Sequence, residues 1–222
     1  MMRMRNALPL LPLLTLPIFL GPGGCQSDGP ATPLASDSRV IGPAQIEQFR
    51  VELPGVSFTA SGAWVVVTPS SSSRVAQYRL PPPAGATGDA SLVVYYFGSS
   101  GAGNVRANLD RWCGQFEQPD GGSSTDAARI EQREINGLEV HTVDLAGTYV
   151  AETSPGSGVH RNEPDSRLLA AVVVTSAGPY YIKLIGPALT VGSWKTTYDD
   201  LLATLQPATI DGSEKTVGAK HQ

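Results

Sequence analysis

Asn136-Gly137 lies between two strand-like runs, 128–135 and 138–146, and constrains this chain more than any other feature. The dipeptide readily takes the positive φ angles of a two-residue hairpin turn, so the flanking runs are predicted to pair as antiparallel strands. Gly178-Pro179 divides a second pair of runs, 168–175 and 180–185. Upstream, 64–67, 74–80 and 91–97 are short and rich in β-branched and aromatic residues, and Pro81-Pro82-Pro83 separates the last two. Along 74–80, strict alternation puts Val75, Gln77 and Arg79 on one face and Arg74, Ala76, Tyr78 and Leu80 on the other.

Two stretches carry a helical period instead. Val105, Leu109, Trp112 and Phe116 recur at i, i+4, i+7 and i+11, ahead of Pro119. Trp194, Tyr198, Leu201, Leu202 and Leu205 share one face within 193–205, which Pro207 closes. The order of strands, helix, hairpin-linked strands and helix predicts an α+β fold, with a central antiparallel sheet of about six to seven strands flanked by two helices.

Composition excludes several alternatives. The 24 glycines and 18 prolines exceed an average share but fall short of a low-complexity chain, and no repeat is present. A formal net charge of −4 over 222 residues offers no basic footprint, so no nucleic-acid partner is expected.

The first residues read as an export address. Arg3 and Arg5 precede an apolar run, 7–21, broken by Pro9, Pro12 and Pro17, which is too short for a membrane span and has the layout of a signal peptide. It ends in Leu20-Gly21-Pro22-Gly23-Gly24-Cys25, which resembles a bacterial lipobox, although Pro22 stands where that pattern favours an aliphatic residue. The expectation is cleavage after residue 24 and lipidation of Cys25, with palmitate-type acyl chains tethering the protein to a bacterial membrane, facing the periplasm. Residues 25–50 then read as a flexible tether, 51–207 as one α+β domain and 208–222 as a tail.

The ordered segments RVAQYRLP (74–81), VVYYFG (93–98), NLDRWCGQF (108–116), INGLEV (135–140), LAGTYV (145–150) and GPYYIKLIGP (178–187) resemble a group of bacterial, largely uncharacterised exported proteins. Their fold looks like that of the photosystem accessory protein PsbP and the nuclear transport factor Mog1. The resemblance spans about residues 60–206 and implies a sandwich of this kind in a binding or assembly accessory. It carries over no activity and no site residue.

The chemistry-bearing residues are few. His141, His160 and His221 show no zinc-type spacing, and no metal or cofactor is implied. His141 and Asp144, three apart on a strand, point to opposite faces. Cys113 flanks the apolar stripe of the first helix and reads as a structural thiol, or in the alternative as a nucleophile. The loop 98–104 is either a flexible turn or an anion cradle. Asn104, Asn108, Arg111 and Gln115 form a polar ridge on that helix, either a solvated face or a recognition surface. Each of the pairs Tyr95-Tyr96 and Tyr180-Tyr181 sends one ring to either side of the sheet, where it either packs or lines a groove.

The sequence therefore reads as a membrane-anchored cell-envelope lipoprotein acting as a non-catalytic binding or accessory module for an unidentified protein or small ligand. The alternative is an envelope hydrolase or redox enzyme using Cys113 or His141.

Overall fold

A computed structural model describes residues 47–208, apart from Pro155. The signal peptide, Cys25 and residues 209–222 lie outside the described residues. Strands β1 (Gln48–Leu53) and β2 (Val56–Ser61) form a first hairpin, and β1 begins inside the stretch read as tether. Pro54-Gly55, with Gly55 at φ 78°, supplies the turn. Then come β3 (Val65–Val66), β4 (Arg74–Leu80) and β5 (Ala90–Tyr96), helix α1 (Val105–Cys113), β6 (Phe116–Glu117) and the single turn α2 (Ser124–Ala127). The hairpin β7 (Arg129–Ile135) and β8 (Leu138–Tyr149) is followed by β9 (Glu163–Val174) and β10 (Tyr180–Pro187). Helices α3 (Ala188–Ser193) and α4 (Lys195–Ala203) and the short β11 (Gln206–Pro207) complete the order.

The α+β expectation holds. An eight-stranded antiparallel sheet runs β3-β4-β5-β10-β9-β8-β6, with β7 also paired to β8. Asn136 and Gly137 take φ 51° and 84°, the turn their sequence predicts, and set Ile135 opposite Leu138. The eighth strand comes from β6, which the helical period placed in α1. That helix ends at Cys113 because the chain turns at Gly114 so that Phe116 pairs with Tyr149. Phe116 stays buried in the cluster the helix was predicted to feed, so tertiary pairing overrides the period without changing the face.

The second predicted helix, 193–205, is α4, and α3 ahead of it is a further helix that the apolar period did not indicate. Trp194, at φ −98° and ψ 1°, separates the two, and its indole N–H donates to the Pro81 carbonyl at 2.8 Å. Tyr198, Leu201, Leu202 and Leu205 are buried as their spacing requires.

Both faces of the sheet carry apolar clusters. On one face, Leu92, Val94, Ile182, Leu184 and Ala171 pack under α3 and α4 and against Val56, Phe58 and Ala60 of a small sheet ordered β1-β2-β11. On the other, Val143, Leu145, Leu168, Ala170 and Val172 meet Leu109, Trp112 and Cys113 of α1. Burying one such side chain stabilises by about 1.5–3 kcal/mol, so these two clusters dominate the energetics.

The alternation expected along β4 breaks at one point. The register shifts between Arg74 and Ala76, so Val75 and Ala76 both pack on the first cluster. Arg74 is carried to the opposite face, where its guanidinium lies 5.4 Å from the centre of the Tyr95 ring. A bulge that re-aims one side chain has this effect. Among the described residues no helix is long and apolar enough to cross a membrane.

Candidate functional site

The tyrosine pairs divide between the faces. Tyr96 and Tyr180 stack at 4.7 Å on the α4 side, and their hydroxyls donate to the carbonyls of Ala177 (2.6 Å) and Pro54 (2.8 Å). Burial pushes the Tyr180 phenol well above its usual range. These two rings are packing residues and line no groove. Tyr95 and Tyr181 face α1. The Tyr181 ring is buried against Trp112, and its oxygen accepts the Ala102 N–H at 2.9 Å.

That last bond decides the loop 98–104. Two of its amide hydrogens are used internally: Gly101 donates to Gly98, and Ala102 to Tyr181. A Cβ at Gly101 would stand 2.4 Å from Pro179 Cγ, so the loop is a packed cap on the sheet and not an open cradle.

The polar ridge of α1 also divides. Asn104 is the N-cap, its side-chain oxygen accepting the Ala107 N–H at 2.8 Å. Asn108 is fully buried, and its amide donates to the carbonyls of Ala102, Gly103 and Asn104. Asn108 presents no recognition surface, and the Asn104 side chain, though exposed, is engaged by the cap. Their period matched a solvated stripe, but the preceding loop folds back over its first turn. Arg111 and Gln115, one and two turns on, do face outward, and Arg111 is braced by donating to the Asn108 oxygen.

Arg111 and Gln115 border a groove between α1 and the sheet. Three recesses meet there: about 190 Å³ beside Tyr95, Phe97 and Trp112, about 560 Å³ over β5 and β10, and a shallower one of about 1040 Å³ toward 149–162. Lys183 of β10 lies at the junction. Its ammonium donates to Gln115 Oε1 at 2.9 Å and stands 5.4 Å from the centre of the Tyr149 ring. Burial, reinforced by Arg111 and Arg161, lowers the Lys183 ammonium to about 8. Arg74, delivered by the bulge, and Arg161 complete the rim.

The lining carries Arg74, Arg111, Arg161 and Lys183 against Asp89, Glu117, Glu152 and Glu163, but not all of these charges are paired with one another. Arg161 pairs with Glu163 at 2.7 Å, and Asp89 with Arg79 at 3.2 Å. Among the described residues no carboxylate pairs with Lys183, Arg111 or Arg74, which are held by Gln115, Asn108 and Gln77 respectively. In a charged recess of about 220 Å³ beside α4 more of the charges are paired: Asp144 grips Arg167 at 2.7 and 2.8 Å, Lys195 meets Asp199 and Arg129 meets Glu131, while Arg133 has no carboxylate partner among the described residues.

Of the predicted site residues, the fold brings Tyr95, Tyr181, Arg111 and Gln115 together here. Sequence reasoning missed Lys183, Tyr149, Arg161 and Arg74. Lys183 carried one signal, a lone cation in the otherwise apolar strand YYIKLIG.

Cys113 is fully buried, and desolvation pushes its thiol upward. The nitrogen Nε2 of His141 meets Glu139 Oε1 at 2.6 Å, while Asp144 is engaged by Arg167 on the other face. The fold assembles no nucleophile and base from these residues. Among the described residues no group of three or more His, Cys, Asp or Glu is placed to hold a metal ion.

No family model matches the chain, and no curated protein matches its sequence. Solved structures do. The solution structure of cyanobacterial PsbP (CyanoP) from Synechocystis is similar with a TM-score of 0.46 at 14% identity, over 80% of this chain and all of that one. A crystal structure of a protein from Bacteroides thetaiotaomicron is similar with a TM-score of 0.35 at 14% identity, over 75% of this chain and 50% of that one. The first belongs to the fold group that the segment series resembles.

Proposed function

We propose that this protein is a cell-envelope lipoprotein, tethered to a bacterial membrane through Cys25, whose domain works as a non-catalytic binding module with its ligand seat in the α1 groove. One observation carries the binding half: three cations gathered at a concave site without carboxylate partners among the described residues, in a chain of net charge −4. Lys183 and Arg74 are partly buried without a paired carboxylate, which costs folding energy, and a ligand that supplies counter-charge recovers part of it. The Cys25 motif and the Ser/Pro/Gly-rich segment after it support the tether. The enzyme alternative loses support from a buried Cys113 with a raised thiol pKa, since the thiolate is the nucleophile.

Mass spectrometry of the protein from native membranes tests both halves. Under denaturing conditions the expected mass is that of a chain beginning at Cys25 with acyl groups added, and the addition is lost in Cys25→Ala. Under native conditions a bound small molecule is expected on the wild type and not on Lys183→Met/Arg111→Met. An unmodified soluble chain would remove the tether; a native mass without bound ligand, the same in wild type and variant, would remove the seat.

A further inference from the structure

The groove contains more than charge. Tyr95 and Phe97 lie nearly parallel, 5° apart with ring centres 6.0 Å apart, and Phe97 keeps 44% of its surface exposed. Tyr149 offers a second ring beneath Lys183. Flat aromatic surfaces thus adjoin the cations, and the two recesses that share Tyr95 and Lys183 are of a size to take a small molecule.

We infer that the groove binds a small organic oxyanion, a carboxylate or phosphate on a flat unsaturated body, with the oxyanion between Lys183 and Arg111 and the flat body against Tyr95 and Phe97. This rests on the reading of the groove as a ligand seat and specifies its occupant. Arg111 donates from a planar fork suited to such oxyanions, while Lys183 supplies a compact charge. Gln115, a neutral acceptor, holds Lys183 in place without cancelling its charge. The stacked rings favour a planar body over an aliphatic one.

Binding is coupled to a proton. The Lys183 ammonium, held near 8, faces Arg111 from α1, Tyr95 from β5, Tyr149 from β8 and the Arg161–Glu163 pair beyond it, with Arg74 and Asp89 at the outer rim. An arriving oxyanion favours the charged form, so at pH 8 the complex takes up a proton that the free protein has partly lost.

The test is calorimetric titration of the full-length protein with phenyl phosphate and benzoate at pH 8, in two buffers of different ionisation enthalpy. Inorganic phosphate and benzyl alcohol serve as comparison probes. The expected result is binding of phenyl phosphate or benzoate at least tenfold tighter than either comparison probe, with net proton uptake. Lys183→Met should weaken it at least tenfold and abolish the uptake, and Arg111→Met should weaken it and reduce the uptake without abolishing it, because Arg111 contributes to the lowering at Lys183. Circular dichroism of both variants establishes that they fold. Benzyl alcohol bound as tightly as benzoate, with binding lost in Tyr95→Ala, would overturn the oxyanion and leave the seat standing. Inorganic phosphate bound as tightly as phenyl phosphate would overturn the flat body. No binding of any of the four probes at 10 mM would overturn this inference and withdraw support from the seat itself.

Discussion

The two faces of the large sheet are built from the same strands and differ in what they exclude. Toward α3, α4 and the small sheet, Leu92, Val94, Leu169, Ala171, Val173, Ile182 and Leu184 are apolar and buried, the polar atoms of Tyr96, Tyr180 and Trp194 reach backbone carbonyls, and Arg167 at the margin is gripped by Asp144. Toward α1, the same strands contribute Lys183 and Tyr95 beside Val172 and Tyr181, and a nine-residue helix is too short to cover them. One face is covered by two helices and a small sheet. The other is left half-roofed, and its polar residues are held in place by neutral partners. Proteins accept such a loss of stability at binding sites.

The sharpest way to break this contrast is to open the closed face. Leu201→Ala should lower unfolding free energy by about 3 kcal/mol, as large-to-small changes in tight cores do, read from the midpoint of urea denaturation at constant slope. Equal losses from Leu201→Ala and from Gln115→Ala would erase the distinction.

The hinge between the faces is the loop that roofs α1. Asn108→Ala abandons three buried or half-buried carbonyl contacts and the brace on Arg111, and about 2 kcal/mol of stability should go with them. Asn108→Asp should not rescue it, because a carboxylate cannot donate to those carbonyls.

On the groove face the stability effect should depend on pH. The Lys183 ammonium lies near 8 in the folded protein and near 10.4 when unfolded, so between these values the unfolded chain holds more protons and stability rises with pH. Below pH 8 both states are charged and the full penalty of burial applies. Relative to Lys183→Met, the wild type should therefore gain on the order of 1–2 kcal/mol between pH 8 and pH 10.5, measured by denaturation at fixed ionic strength, after allowance for partial solvent access. A pH-independent difference would contradict the placement of this lysine. The smallest effect belongs to Asn104→Ala, which removes one exposed cap bond and should cost about 1 kcal/mol.

The closed face was the legible one. Turn chemistry at Asn136-Gly137 and the apolar period of Tyr198, Leu201, Leu202 and Leu205 specify local geometry that tertiary structure then keeps. The first hairpin is not among the expected elements: β1 begins inside the segment 25–50, which reads as tether, and no strand is predicted on either side of Pro54-Gly55 beside that Ser/Pro/Gly-rich stretch. The groove was half legible. Tyr95, Arg111 and Gln115 could be singled out as outward residues of good elements, whereas Arg74 and Arg161 come from a register shift and from a segment between strands, neither of which has a period. Asn108 misled for a physical reason: a buried amide and a solvated amide occupy the same helical position, and only the returning loop tells them apart.

The extra residue at the start of β4 has a consequence for how such a groove can change. On a strand, which side of the sheet a residue serves is a matter of odd or even count, and the shift between Arg74 and Ala76 resets that count for everything before it. Straightening β4 while keeping all its residues would turn the Arg74 guanidinium toward the first cluster, whereas deleting Val75 would leave it on the groove side, because the extra residue is what keeps Arg74 opposite Tyr95.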